Sequence, residues 1–326
     1  MSFKEDIISG VRRELVDDVL RASVLTYGEV FYVMEDSDTN YPLLVKRYGV
    51  KNVFTTLTAA EDACVSSRGD TIFMSANTTH TIASGIAWDK SRITVIGLDG
   101  GDRLVQQGTK VQNATADTAA YVIKVTGVRN SFRNIKFIQA GTEATALHVL
   151  EEGGEGNLYK NCTFTFGVVG NLDLTTATEV LCGADSATFI KCLFGTETLL
   201  TSAARTVFTI DQVTASQEFK SNILEDCIFL ISSSSATALF IKVVATSDVL
   251  FTNLFKNCIF MASVDSAGGI ALTNAVASVS SLVKGTLNFA NPATFNTTNF
   301  AVTADQMQVV APVPTAATSG IGVTPA

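Results

Sequence analysis

Charge is scarce in this chain, and what there is leans negative. Only 17% of its 326 residues are Asp, Glu, Lys or Arg, below the roughly 25% of an average soluble domain, so much of the surface is expected to be covered by other chains. With 23 basic against 31 acidic residues and a formal net charge of -8, there is no cationic field to displace counterions from a nucleic acid or to hold an anionic membrane. Direct nucleic-acid binding is disfavoured. No apolar run approaches the roughly 18–20 residues that span a bilayer, and Met1 to Asp6, with two acids and a lysine, does not open a secretory signal. The chain therefore reads as soluble, without membrane contact and made in a cytoplasm. In that setting the six cysteines, Cys64, Cys162, Cys182, Cys192, Cys227 and Cys258, read as buried thiols and not as a disulfide framework.

The two ends differ from the middle. Ser2 and Glu5 form a capping box, after which Ile7, Ile8, Val11, Leu15, Val19 and Leu20 recur at spacings of three and four. This predicts an amphipathic helix to about Ala22, with an apolar stripe that needs a partner surface. Beyond Lys284 only Asp305 is charged, and the run from Met307 to Val313 with prolines at 312, 314 and 325 predicts an extended arm docked along part of its length. Between the ends, Val30 to Met34, Thr71 to Met74 and Ile93 to Leu98 read as strands. Phe54, Leu57, Ala60, Ala63 and Cys64 have helical spacing.

An internal repeat carries most of the information. Five segments align without gaps: Phe132-Arg133-Asn134-Ile135-Lys136-Phe137, Tyr159-Lys160-Asn161-Cys162-Thr163-Phe164, Phe189-Ile190-Lys191-Cys192-Leu193-Phe194, Leu224-Glu225-Asp226-Cys227-Ile228-Phe229 and Phe255-Lys256-Asn257-Cys258-Ile259-Phe260. The fourth positions, Ile135, Cys162, Cys192, Cys227 and Cys258, and the sixth, Phe137, Phe164, Phe194, Phe229 and Phe260, are the expected core ladder. The period is near thirty residues but elastic, as expected for loops of varying length on a fixed scaffold. A second β-branched run precedes each segment, for example Tyr121 to Val125 and Leu239 to Val244, which favours strands over helices. One coil per repeat stacks like residues at about 4.8 Å and buries a continuous interior that no single repeat buries alone.

The stacked Asn-Cys-x-Phe ladder, together with the run from Asn52 to Gly97 containing its capping helix, the Gly69-Asp70-Thr71-Ile72 turn and the Ile93-Thr94-Val95-Ile96-Gly97 strand, resembles pectate-lyase-like right-handed β-helices over residues 29 to 285. The resemblance implies an all-β chain: a single-stranded right-handed parallel β-helix of seven or eight coils, about 35 Å tall at about 4.8 Å per coil. The expected division is a helical arm at 1–28, the β-helix at 29–285 and an extended arm at 286–326.

What the resemblance implies about function is broad, since this fold carries lyases, hydrolases, phage tailspikes and non-enzymatic virion proteins alike. Its enzymes resemble one another in clusters of carboxylates, with calcium and a basic residue in the lyases. Here only Glu225 and Asp226 are acidic on the ladder, and a convergence of the loop acids Asp173, Asp185, Asp211 and Asp265 is left open, since spacing does not show it. Asp36, Asp38 and Asn40 lack the glycine and distal glutamate of a calcium loop and read as a turn. His80 and His148 have no metal-ligand partner at a telling spacing, and the single Trp88 is a poor basis for a sugar platform.

The expectation is accordingly a non-enzymatic phage virion structural protein, most specifically a capsid decoration or cement protein. It would be assembled in the host cytoplasm as a homotrimer and would need no cofactor. Attachment is expected through the terminal arms, at Val11, Leu15 and Val19 on one side and Met307, Val309, Val310 and Val313 on the other. The alternative is a polysaccharide-depolymerising or glycan-binding tailspike or pectate-lyase-like protein, which leaves a carbohydrate ligand open.

Overall fold

A computed structural model describes residues 28–264 apart from short breaks at 77, 100–106, 197–198, 203, 215–217, 236–237, 245–248 and 251–252, and then the strands Ala271–Thr273, Thr286–Ala290 and Gln308–Val310. The expected first helix, with Val11, Leu15 and Val19, lies outside the described residues, as do Met307 and Val313.

The described chain winds as a right-handed parallel β-helix with three faces. Sheet A runs from Val53–Phe54 through Val30–Val33, Thr71–Met74, Thr94–Gly97, Ser131–Arg133, Leu158–Lys160, Thr188–Ile190 and Ile223–Glu225 to Leu254–Lys256. Sheet B runs from Thr78–Ile82 to Gln308–Val310, and sheet C from Ile86–Trp88 to Ala271–Thr273. Among the described residues A and B carry nine strands each and C seven. The strands beyond the expected coil number come from the ends. Val53–Phe54 adds a rung before the first, and Thr286–Ala290 and Gln308–Val310 add two after Cys258–Val264. Sheet B thus continues past residue 285, with Val309 opposite Leu287 and Val310 opposite Asn288.

The sequence repeat is the register of the sheets. Phe132, Tyr159, Phe189, Leu224 and Phe255 pair in succession on sheet A, and Phe137, Phe164, Phe194, Phe229 and Phe260 on sheet B. Their rings stack along the axis, Phe132 on Tyr159 at 5.2 Å, Tyr159 on Phe189 at 4.8 Å and Phe229 on Phe260 at 4.7 Å.

The third ladder position explains its own composition. Asn134, Asn161, Lys191, Asp226 and Asn257 all have φ between 52° and 57°, so one left-handed residue turns the chain from sheet A into sheet B. Asn and Asp tolerate that conformation best among residues with a side chain, which is why this column is rich in them. The corner from sheet C into sheet A uses the same device at Arg92, Arg129, Ser186 and Ser221, with Gly156 in the fifth coil.

Inside that second corner a column of buried asparagines closes the backbone bonds that the bend leaves open. Asn130 Oδ1 accepts from the Ile93 N–H, Asn157 Oδ1 from Asn130, Asn222 Oδ1 from Ala187 and Asn253 Oδ1 from Asn222, at 2.7–3.0 Å. Asp70 heads the column. Burial pushes its carboxyl up, but Arg68 and the N–H groups of Val65 and Glu29 outweigh this and hold its pKa below the usual value.

The cysteines complete the interior. The thiols of Cys162, Cys192, Cys227 and Cys258 each donate to the carbonyl of Phe132, Tyr159, Phe189 and Leu224 respectively, one coil back, at 3.4 Å. All six cysteines are free and buried, and burial pushes the Cys162 thiol up to about 12. A thiol is the nucleophilic form only when ionised, so these should be inert. Maleimide titration is expected to find no reactive thiol in the folded protein and six in denaturant without reductant. Fewer than six would mean that disulfides form.

Candidate functional site

No three or more His, Cys, Asp or Glu side chains group as metal ligands among the described residues. The acids read from the sequence as candidates have polar partners of their own, not a shared metal-like cluster, among the described residues. Asp185 faces Lys220 at 3.2 Å, Asp173 accepts from the Ser202 N–H at 2.7 Å, and Asp211 accepts from the Gln212 N–H at 2.8 Å. Asp265 lies outside the described residues. On the ladder, Glu225 is paired with Lys256, and Asp226 accepts from Asn257 Nδ2. Asp38 accepts from the Asn40 N–H at 2.8 Å, closing a turn. Trp88 is fully buried, edge-on to Phe132.

Both histidines are held as neutral bases. His80 is 1% exposed between Ser75 and Glu35, and burial lowers its pKa. Burial also lowers that of His148 against the pull of Glu151, 4.0 Å away. Glu151 in turn faces Lys124 at 3.0 Å on the outer side of sheet C. This Lys124–Glu151–His148 group is a cluster of mixed acid and base character on an outer face that sequence spacing did not reveal. Its members come from two coils.

The other outer faces are apolar in part. On sheet B, Leu193, Ile228 and Leu230 flank the inward phenylalanines, so they point outward, and they cluster with Ile259 and Met261. On sheet A, Tyr32, Phe73 and Ile96 form an outward column with Val30 and Leu98. An eight-residue helix, α1 (Tyr41–Tyr48), stands beside this column and stacks Tyr48 on Tyr32 at 4.2 Å. Sequence patterning missed α1, because it buries none of its residues and so carries no core stripe.

An ion pair and a lone acid sit inside the coil. Arg205 and Glu179 form an ion pair in which both side chains have no exposure. Glu152, also fully buried, receives hydrogen bonds from the Gly154 N–H, Asn157 Nδ2 and the Tyr159 hydroxyl, and burial raises its pKa to about 8.

No protein-family model matches the sequence, and no curated protein does. In fold the chain is similar to the pectin methylesterase PemA from Erwinia chrysanthemi (TM-score 0.47, 12% identity, 86% of this chain and 94% of that one). It is also similar to the pectate lyase Pel9A (0.46, 14%, 90% and 83%) and to ORF18 of Geobacillus virus E2 (0.35, 13%, 73% and 54%). At these identities the likeness is one of parallel coil alone.

Proposed function

We propose that this chain is a non-enzymatic structural protein of a phage virion, a capsid decoration or cement protein that binds itself as a homotrimer and holds a virion surface through its terminal arms. The observation that carries the reading is the chemistry of the outer faces. Partly exposed apolar side chains, Val30, Tyr32 and Leu98 on sheet A and Ile259 and Met261 on sheet B, border the buried outward columns, while Asp173, Asp185 and Glu225 each have a cation, amide or hydroxyl beside them. Flat faces of this kind suit contact between proteins. An extended arm that orders on binding loses conformational entropy, yet spreads its contacts over a large surface.

Deleting residues 314–326 is expected to abolish incorporation into particles while leaving the far-ultraviolet β signal intact, and light scattering should give a mass near three chains. Full occupancy of particles by the truncated chain would sink the attachment reading, and a stable monomer the trimer. The second reading, a polysaccharide-depolymerising protein, draws on the Lys124–Glu151–His148 group. It would replace the first if the purified protein cleaved a polysaccharide and Glu151→Gln removed that activity.

A further inference from the structure

The outer face of sheet B changes character along the axis. Its later rungs present the apolar Leu193, Ile228 and Leu230, whereas the earlier ones carry Thr79, Lys110, Lys136 and Thr163 in one row. Lys110 and Lys136 are partners on adjacent rungs, so their side chains leave the sheet side by side at about 4.8 Å. Val111 and Phe137, the next residue in each strand, are fully buried inside the coil, and the two lysines therefore point outward, where they are half-buried. Like charges directly opposite one another weaken a sheet. Burial and the charge of Lys110 both hold the Lys136 pKa below its usual value. Elsewhere the chain gives a sheet lysine an acid. Lys124 faces Glu151 at 3.0 Å, Lys220 faces Asp185 at 3.2 Å, and Lys256 is paired with Glu225. On sheet B no outward position from Thr79 to Met261 is Asp or Glu, and among the described residues neither Lys110 nor Lys136 has a carboxylate partner.

We propose that Lys110 and Lys136 together bind a tetrahedral oxyanion of charge −2, a phosphate or sulfate group, held between the two ammonium groups with the Gln112 amide beside it. Charge matching is the first argument. A dianion neutralises both lysines at once, whereas a single carboxylate leaves one of them repelled as before. Shape is the second. A lysine acts as a point charge without the planar fork of arginine, and the diverging oxygens of a tetrahedral ion let one face each ammonium at about 2.8 Å. Environment is the third. Half-burial weakens the screening that would make the same pair worthless in open water. The net charge of -8 repels extended polyanions, so the pair suits a small group and not a nucleic acid. This goes beyond the virion reading and lies on a different sheet from the Lys124–Glu151–His148 group.

The test uses the full chain with carbon-13 at the lysine Cε positions, at about pH 8, where phosphate groups are dianionic. Sulfate and inorganic phosphate are each expected to shift the Lys110 and Lys136 signals saturably and to raise the Lys136 pKa, since a neighbouring anion favours the charged amine. Acetate at matched ionic strength should do neither. Lys110→Met should weaken binding at least about tenfold as read at Lys136, and Lys136→Met likewise as read at Lys110, methionine keeping an apolar stem on the sheet. Lys124→Met, which removes a lysine that has its own acid, should leave binding unchanged. Glycerol phosphate distinguishes the source: binding at least as tight as that of inorganic phosphate assigns a group carried on a larger molecule, and weaker binding assigns the free ion. Acetate acting as strongly as sulfate, no saturation below about 0.1 M, or binding retained in either Met variant would overturn the proposal. No readout involves particles, so failure here is distinguishable from failure of the virion reading.

Discussion

Arg205→Ala is expected to destabilise the fold by about 3–5 kcal/mol, a large share of the roughly 5–15 kcal/mol that holds a typical domain together. Arg205 and Glu179 are each fully buried, and Glu179 takes the inward place that Val122, Val149, Val207 and Phe240 hold on the other rungs of sheet C. Burial raises the Glu179 pKa and Arg205 opposes it, so removing the cation leaves a carboxylate with neither water nor partner. It must then take up a proton or drive the coil open. The pair itself is not expected to be a net source of stability. Desolvation of two charges roughly cancels their attraction, and Glu179 Oε2 and Arg205 Nε and Nη1 find no hydrogen-bond partner among the described residues. Glu179→Leu with Arg205→Met should therefore lie near or above the parent in urea denaturation, while either single change lies well below it. A single Arg205→Ala loss under about 1 kcal/mol would show that water reaches the site.

The contrast between what the residues announced and what they concealed has a physical basis. The ladder was legible because a parallel coil repeats the same environment every turn, so Phe137, Phe164, Phe194, Phe229 and Phe260 had to be alike. The asparagine column is equally legible in the sequence. Asn130, Asn157, Asn222 and Asn253 each stand two residues before the first ladder position, a constant offset that marks the inner corner. The ion pair was not legible. A pattern reading averages Glu179 into an apolar run, and nothing in the spacing of 179 and 205 places them on adjacent coils. The Lys124–Glu151–His148 group escaped for the same reason, because its closest ion pair crosses between rungs. As for the arms, the backbones of Val309 and Val310, residues expected at a partner surface, pair with the chain's own sheet.

The stability of the protein should fall as pH rises through neutrality, and Glu152→Gln should remove a large part of that slope, with Glu61, raised by burial to about 7, carrying another part. Burial raises the Glu152 carboxyl from 4.5 to about 8 in the folded state, despite the hydrogen bonds from Tyr159, Asn157 and Gly154. An unfolded chain exposes the same carboxyl at its ordinary value. Between those two values the folded state holds a proton that the unfolded state has released, so stability contributed by the neutral acid is complete below about pH 4.5 and is lost as pH climbs through about 8. The whole difference is on the order of 5 kcal/mol at full ionisation. Glutamine copies the neutral acid. Its Oε1 can accept from Gly154 and Asn157, and its Nε2 can donate to the Tyr159 hydroxyl oxygen as the protonated acid can, the Tyr159 proton lacking a carboxylate acceptor in both. The Gln variant should thus match the parent within about 1 kcal/mol at pH 5 and exceed it by several at pH 9, measured by urea denaturation at each pH. Tyr159→Phe should instead lower stability even at pH 5, since it removes a donor from a carboxyl that has no solvent to turn to. Parallel pH profiles for parent and Glu152→Gln would show that the carboxylate is already ionised and content inside the coil, with its three donors sufficient to replace water.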